Sequence, residues 1–211
     1  ADTEVTVDGQ PSRGGALRSD TSPAGASAIG FDGGNGLATV IERGGRLALR
    51  VKHAEAETRR NFAGLDYWLG GMAWQVPARF VAHPPGKTLP VLDVLGNTQQ
   101  IANPGVLEFE LGGKLLRLEA LDEGEGTLFI VFADRTSGHG SYPAGRFIDA
   151  PMPDKQGRVV IDFNQAYNPP CAFTPFATCP LAPPENRLDV AVEAGEKTYA
   201  KHPDAGAGAA P

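Results

Sequence analysis

Long hydrophobic runs are missing from this 211-residue sequence. None approaches the roughly 18 apolar residues that a membrane-spanning helix needs, so no transmembrane segment is expected. Positive charge is also in deficit, with 19 Lys and Arg against 25 Asp and Glu. A surface of net charge -6 repels a phosphate backbone, which disfavours nucleic acid as a partner. A soluble protein is expected, with the cytoplasm slightly favoured, and the sequence leaves its compartment and oligomeric state open.

Cysteine is scarce too, since the chain has only Cys171 and Cys179. Zinc sites usually bring sulfurs together in C-x₂₋₄-C pairs, and seven residues separate these two, so no metal site is predicted. The residue types of a nucleophilic site are present if His139 acts as base and Asp134 orients it. We favour the simpler interpretation, in which the cysteines are structural thiols or a disulfide closing a short loop. Nothing in the sequence indicates a cofactor.

Glycine and proline are abundant, at 27 and 18 residues, which favours short elements joined by tight turns. Apolar residues alternate with polar ones on both sides of Gly44-Gly45 and again on both sides of Gly112-Gly113, as in two β-hairpins. The run TLFIVFA from Thr127 is apolar at every position, as in a central strand. The pattern predicts an all-β fold. It would be an antiparallel β-barrel or sandwich with a meander core, long Pro-rich loops and one or two short helices.

Further strands are predicted at Trp74–His83, Arg158–Phe163 and Arg187–Glu196, and His53–Leu65 could hold two helical turns. Pro77 suggests that the first of these strands is an edge or contains a bulge, because proline cannot donate to a sheet ladder.

Composition predicts three segments along the chain. Residues 1–36 are polar and rich in Gly and Ser, as in an N-terminal arm or the remnant of a preceding module. Residues 37–200 carry the β pattern and are expected to form the main domain. Residues 201–211 are low in complexity and are expected to be a flexible tail.

Polar and special residues are concentrated in three segments: the loop that follows the predicted central strand, the Pro-rich loop, and Glu185–Lys197. Loops on rigid strand ends often carry binding groups. We therefore expect the 134–146 and 162–186 loops to close a pocket for a small polar or anionic molecule. The candidate ligand-binding residues are Asp134, Tyr142, Arg146, Asp162, Asn164, Tyr167, Asn168 and Glu185.

Two other interpretations stay open. One is an enzyme, a hydrolase or transferase that uses Cys171 or the Asp/Tyr/Asn cluster. The other is a structural or assembly subunit, with an exposed apolar patch at Phe173, Phe176 and Leu181. Several of the polar residues have structural alternatives, since Asp and Asn at a strand end cap turns and Arg146 can form an ion pair.

The segments FADRTSGHGSYPAGRF, DFNQAYNPPCAFTPFATCPLAPPENRL and EAGEK resemble the signature of a bacterial and archaeal family known as domain of unknown function 1684. The resemblance is specific over 132–197 and looser from Leu37 to Asp134. It implies that both loops are family features, and that residues 1–36 belong to a module with further N-terminal sequence. The cysteines fall within the pattern and His139 falls outside it, which disfavours the hypotheses that need this histidine. No activity is carried over.

Overall fold

The computed structural model describes residues 4–199 and divides the chain into two compact units, with the boundary between Ala63 and Gly64. The first unit is a five-stranded antiparallel sheet with the order β2-β1-β3-β4-β5. Its strands are β1 Thr6–Val7, β2 Gln10–Pro11, β3 Ala28–Phe31, β4 Gly36–Arg43 and β5 Arg46–His53. The predicted hairpin at Gly44-Gly45 is confirmed, and the φ angles of 56° and 73° at the turn are those that glycine adopts without strain.

The predicted division into 1–36, 37–200 and 201–211 stays a prediction. In the structure, β3 within the first of these segments pairs with β4 in the second, from Ala28 opposite Thr39 to Phe31 opposite Gly36. Residues 201–211 lie outside the described part of the chain.

Helical structure is sparse. The predicted helical turns at His53–Leu65 contain one α-helical turn, α1 Glu57–Arg60. Single 3₁₀ turns occur at Asp32–Gly34, Met72–Trp74, Phe163–Gln165, Pro170–Ala172 and Pro184–Asn186. Within residues 4–199, no helix is long and apolar enough to cross a membrane.

The second unit is a nearly closed antiparallel barrel in which six strands follow the order β11-β10-β9-β8-β6-β12 and β7 pairs with β8. The four consecutive strands β8 to β11 form the meander, which confirms the predicted fold class. The bounds of the strands are β6 Gln75–Ala82, β7 Thr88–Leu92, β8 Thr98–Leu111, β9 Lys114–Asp122, β10 Thr127–Phe132, β11 Arg146–Pro151 and β12 Arg158–Asp162.

β10 is buried on both faces, as its continuous apolar sequence predicts. Its side chains at Leu128, Ile130 and Phe132 enter the core inside the barrel. The alternate side chains, including Phe129 and Val131, enter a second core on the outer face. The Pro-rich loop contributes Cys179 and Ala182 to that second core, so it packs over the outside of the sheet.

The strand predicted at Arg187–Glu196 is wrong, although its alternation is real. Leu188, Val192 and Ala194 are buried in the barrel core, but the segment has no ladder of its own. Some of its backbone groups bond singly to backbone elsewhere, as the Leu188 N–H does to the Ala133 carbonyl. Between Val192 and Glu196, most bond to the side chains of Arg146 and Asp134. The alternating pattern predicts which side chains face the core. It does not predict the hydrogen-bond partners of the backbone N–H and C=O groups.

The edge position suggested by Pro77 is also wrong, because β6 lies between β8 and β12. Pro77 lies opposite Val160 of β12, whereas the pairing with β8 begins only at Ala78. The proline is tolerated because it lies just outside the β8 ladder, where an N–H donor is not required.

Candidate functional site

The predicted site residues lie on the two expected loops and the strand ends beside them, and the structure divides them into separate groups. The loop between β10 and β11 holds Asp134 and Tyr142 and leads into Arg146. Asp162 ends β12, and the loop after it holds the remaining candidates and both cysteines. The groups differ in burial and in which polar atoms remain free to contact a ligand.

Arg146 and Asp134 form a buried ion pair, with Nη2 and Oδ2 separated by 3.0 Å and the side chains 0% and 1% exposed. The same guanidinium donates to the backbone carbonyls of Val192 at 2.8 Å, Glu196 at 3.2 Å and Ala194. Asp134 Oδ1 accepts the backbone N–H of Val192 at 3.1 Å. Together the two side chains fasten the 192–196 segment to the barrel.

The electrostatics of Arg146 fit this structural role. Burial lowers its pKa, while the charge of Asp134 and their hydrogen bond act in the opposite direction. The guanidinium carbon also lies 5.3 Å from the centroid of the Phe132 ring. A ligand would have to displace this packing to reach the charge. Among the described residues, Arg146 Nε is one of the few buried side-chain atoms without a hydrogen-bond partner.

Asn168 lies beside this group, because the adjacent residues Phe147 and Tyr167 form a β-bridge. Its backbone N–H donates to Glu196 Oε2 at 2.7 Å, and its side-chain amide donates to the Lys197 carbonyl at 2.7 Å. Asn168 Oδ1 is buried and, within residues 4–199, has no partner. Asp134, Arg146 and Asn168 are therefore brought together around the 192–197 segment.

Asp162 and Asn164 form another group. Asp162 caps the 3₁₀ turn Phe163–Gln165 by accepting the Asn164 N–H at 3.0 Å, and it also accepts from Gln75 at 3.1 Å. Asn164 Oδ1 accepts the Gly71 N–H at 2.9 Å, and its amide donates to the Gly71 carbonyl at 3.0 Å. Burial would raise the pKa of Asp162, but the hydrogen bonds from Asn164 and Gln75 outweigh it and lower the pKa. These contacts connect the start of the loop after β12 to the start of β6 and the segment before it.

The side chains of Tyr167 and Glu185, the remaining polar candidates, belong to neither of these two groups. The Tyr167 hydroxyl donates to Asp149 Oδ2 at 2.9 Å, and burial together with that carboxylate raises the pKa of Tyr167. Glu185 is exposed in the 3₁₀ turn Pro184–Asn186. His139 is exposed, with Nδ1 3.3 Å from the Ser137 carbonyl oxygen.

Tyr142, Cys171 and Cys179 form the group in which the two loops meet. The Tyr142 hydroxyl donates to the Cys171 carbonyl at 3.2 Å and lies 3.6 Å from Cys171 Sγ. The Cys171 backbone N–H donates to Cys179 Sγ at 3.1 Å. Both cysteines are free thiols, Cys171 half-buried and Cys179 only 3% exposed.

The two thiols perturb each other in opposite directions. A hydrogen bond from the Cys179 thiol lowers the pKa of Cys171 to about 6, against the effect of burial and with help from the Tyr142 hydroxyl. The interaction with Cys171, together with burial, raises the pKa of Cys179. Burial and the nearby Cys171 sulfur also raise the pKa of Tyr142, which keeps its proton. The directions of these shifts favour a thiolate on Cys171, the less buried of the two cysteines.

The apolar patch considered from the sequence is only partly exposed. Phe176 is 93% exposed, whereas Phe173 and Leu181 are half-buried. Within residues 4–199, His, Cys, Asp and Glu side chains do not assemble into any group of three or more that could hold a metal ion.

Comparison with known proteins places this chain in a family. Residues 60–197 match the model of the family described as "Protein of unknown function (DUF1684)". The chain belongs to this family. The match spans the whole barrel and includes both loops, so the resemblance seen in the sequence is confirmed.

A solved relative supports the assignment. The chain is similar to an uncharacterised protein of Haloarcula marismortui, whose structure was determined by solution NMR. The two are 32% identical with a TM-score of 0.56, and the similarity covers 70% of this chain and 83% of that one. No curated protein matches the chain.

Several residues of the family domain escaped the sequence analysis. Ser141 is completely buried and accepts from the Trp68 indole N–H at 3.1 Å and from the Thr136 hydroxyl at 2.7 Å. A Cβ on Gly140 would lie 2.7 Å from the Trp68 ring, so this close approach requires glycine. In the sequence, the glycines around Ser141 in GHGSY indicate a tight turn. Only the fold shows that Trp68 packs against this turn.

A second polar group that was missed joins Glu119 on β9 to Asn103 on β8 and to His83, which follows β6. His83 Nε2 is 2.8 Å from Glu119 Oε2, and the Asn103 amide donates to the same carboxylate oxygen at 3.0 Å. Burial opposes ionisation of Glu119, but these partners lower its pKa. His83 and Glu119 are 36 positions apart in the sequence, so no local pattern indicates the contact.

Proposed function

We propose that this protein carries out thiol–disulfide exchange through Cys171 and Cys179. The observation that carries the proposal is the contact between the two cysteines, in which the backbone N–H of Cys171 donates to Cys179 Sγ at 3.1 Å. A half-buried thiol beside a buried one resembles the usual division between an attacking and a resolving cysteine. The lowered pKa of Cys171 supports the assignment of the attacking role.

The reaction begins with the Cys171 thiolate. It attacks one sulfur of a substrate disulfide, the substrate S–S bond breaks, and one half of the substrate leaves as a thiolate. The other half stays bonded to Cys171 as a mixed disulfide. Because Cys171 has then lost its negative charge, it no longer opposes ionisation of Cys179.

Cys179 completes the exchange. In the structure the Cys171 backbone N–H lies 3.1 Å from Cys179 Sγ, and a donor at that position stabilises a thiolate on Cys179. That thiolate attacks Cys171 Sγ, the mixed disulfide breaks, and the second half of the substrate leaves. The substrate disulfide has then been reduced to two thiols, and the protein dithiol has been oxidised to a Cys171–Cys179 disulfide. The proton lost by each cysteine passes through water to a leaving thiolate.

Oxidised glutathione is a suitable probe for this reaction. The reduced protein is mixed with it at neutral pH and its intact mass is followed with time. We expect the wild type to lose the mass of two hydrogen atoms without accumulating a glutathione adduct. Cys179→Ser should keep one glutathione on Cys171, and Cys171→Ser should react slowly if at all.

The two serine variants are matched controls for each other, since each retains one thiol of the pair. Persistent adducts on both cysteines of the wild type would contradict the proposal. So would a Cys171–Cys179 disulfide that reduced glutathione opens only after the protein is unfolded, because that bond would be purely structural.

A second candidate function is the binding of a small polar molecule between the 134–146 and 162–186 loops. The observation in its favour is that Arg146 Nε and Asn168 Oδ1 are buried and have no partner within the described residues. Arg146 begins β11, and Asn168 follows Tyr167, which forms a β-bridge with Phe147. Such unpartnered buried atoms are rare enough to call for an explanation.

A thermal-shift screen with small neutral and anionic polar compounds tests this candidate. A compound that binds there should raise the Tm of the wild type but not that of Asn168→Ala. If no compound raises the Tm, or if Asn168→Ala responds as strongly as the wild type, the candidate is rejected.

A further inference from the structure

β5 is an unpaired edge of the five-stranded sheet in the first unit. Within residues 4–199 it pairs on one side only, with β4. Three large apolar side chains on it are exposed: Leu47 by 70%, Leu49 by 59% and Val51 by 56%. An exposed edge that bears apolar side chains is a template for adding another strand.

The other face of β5 is basic. Arg46, Arg50 and Lys52 alternate with the apolar residues, so they project from the opposite face of the sheet. All three are exposed, and none forms an ion pair with another described residue. This concentration of positive charge stands in a chain whose net charge is -6.

The placement of the two rows on opposite faces limits what can bind. A lipid surface meets one face of a sheet at a time, so it would engage the basic row or the apolar row but not both. A second copy of β5 would bring like charges together along the new ladder. An added strand of opposite charge meets both rows at once, because its own side chains also alternate between the faces.

We propose that the edge of β5 binds an extended acidic segment of another protein, in which acidic residues alternate with apolar ones. The backbone of the segment would continue the sheet beyond β5. Its acidic side chains would lie beside Arg50 and Lys52, and its apolar side chains beside Leu47 and Leu49. This site lies in the first unit and is independent of the thiol chemistry.

The test uses the full chain and a labelled eight-residue peptide in which Glu and Val alternate. Binding is measured by fluorescence anisotropy at 0.15 M salt, with a peptide of four Glu followed by four Val as the composition control. We expect micromolar binding of the alternating peptide and at least about tenfold weaker binding of the block peptide.

Variants then locate the site. Lys52→Glu should weaken binding by about tenfold, whereas the matched change Lys155→Glu, at an exposed lysine of the second unit, should leave it unchanged. Leu49→Ser should also weaken binding, because the proposal places the apolar side chains of the peptide beside Leu47 and Leu49, and unchanged binding would count against it.

Four results would overturn the proposal. They are no binding of the alternating peptide, equal binding of the block peptide, binding that Lys52→Glu does not weaken, or a dimer through β5 that excludes the peptide. A further binding experiment uses anionic phosphatidylserine vesicles in place of the peptide. Vesicle binding that is lost in Lys52→Glu, with no peptide binding, would assign the edge to a membrane surface instead.

Discussion

Two polar groups stand on the same loop between β10 and β11, and they use their polar atoms in opposite ways. Asp134, near the start of the loop, and Arg146, where the loop leads into β11, are buried and direct their polar atoms at each other and at the backbone of residues 192–196. Between these two residues, the Tyr142 hydroxyl contacts Cys171, a free thiol that is only half-buried. A density of polar residues in the sequence does not distinguish a structural clamp from a reactive group, whereas burial and hydrogen-bond satisfaction do.

The largest expected effect is a loss of stability when the structural clamp formed by Arg146 and Asp134 is broken. Arg146→Met leaves Asp134 as a buried carboxylate without its ion-pair partner, and it leaves the Val192 and Ala194 carbonyls without their donor. We expect the free energy of unfolding, measured by urea denaturation, to fall by about 3–5 kcal/mol.

The matched control for that variant is Arg135→Met. Arg135 also pairs with an aspartate, Asp189, but both side chains are more than half exposed. Its loss should cost no more than about 1 kcal/mol. If the two variants were equally stable, the buried group would not be the clamp described above.

A smaller effect is expected from a change beside Cys171, in the second of the two polar groups. Tyr142→Phe removes the hydroxyl that lies 3.6 Å from Cys171 Sγ and leaves the ring in place. The pKa of Cys171 should rise by about half a unit, because one hydrogen bond to the thiolate is lost. The pH dependence of Cys171 alkylation measures the change, and an unchanged midpoint would remove Tyr142 from the site.

The smallest effect concerns Asp162, which caps a turn and belongs to neither group. Its pKa is lower in the folded protein than the ordinary value of 3.8, so its carboxylate stabilises the fold above that pH. The advantage is lost as the pH falls through the folded pKa. Asp162→Asn should therefore be slightly less stable than the wild type at pH 7, by about 1 kcal/mol or less.

Thermal unfolding at several pH values checks this prediction. The difference in Tm between the wild type and Asp162→Asn should narrow steadily below pH 3.8. A gap of constant size across that range would mean that the charge of Asp162 makes no contribution.

The sequence predicts those parts of the fold that repeat locally. Alternation and paired glycines predicted the hairpins at Gly44-Gly45 and Gly112-Gly113, and the apolar run from Thr127 predicted a strand buried on both faces. β11 was missed because its sequence, RFIDAP, follows the polar loop without a clear alternating pattern.

The candidate site was less predictable, because its contacts join residues that are distant in sequence. Tyr142 lies 29 positions before Cys171, and Arg146 donates to carbonyls 46 to 50 positions away. Composition placed the candidate residues in two loops, and the loops do meet at Tyr142 and Cys171. Which side chains face each other depends on how the Pro-rich loop packs over the outer face of the sheet.

The most direct test of the central claim, a reactive thiolate on Cys171 paired with Cys179, is the pH profile of Cys171 alkylation in the reduced protein. Iodoacetamide labelling is followed by peptide mass spectrometry from pH 4.5 to 9.5. We predict a rate that rises with a midpoint near pH 6, well before any labelling of Cys179. A midpoint at the ordinary thiol value, or labelling of both cysteines at the same pH and rate, would contradict the account.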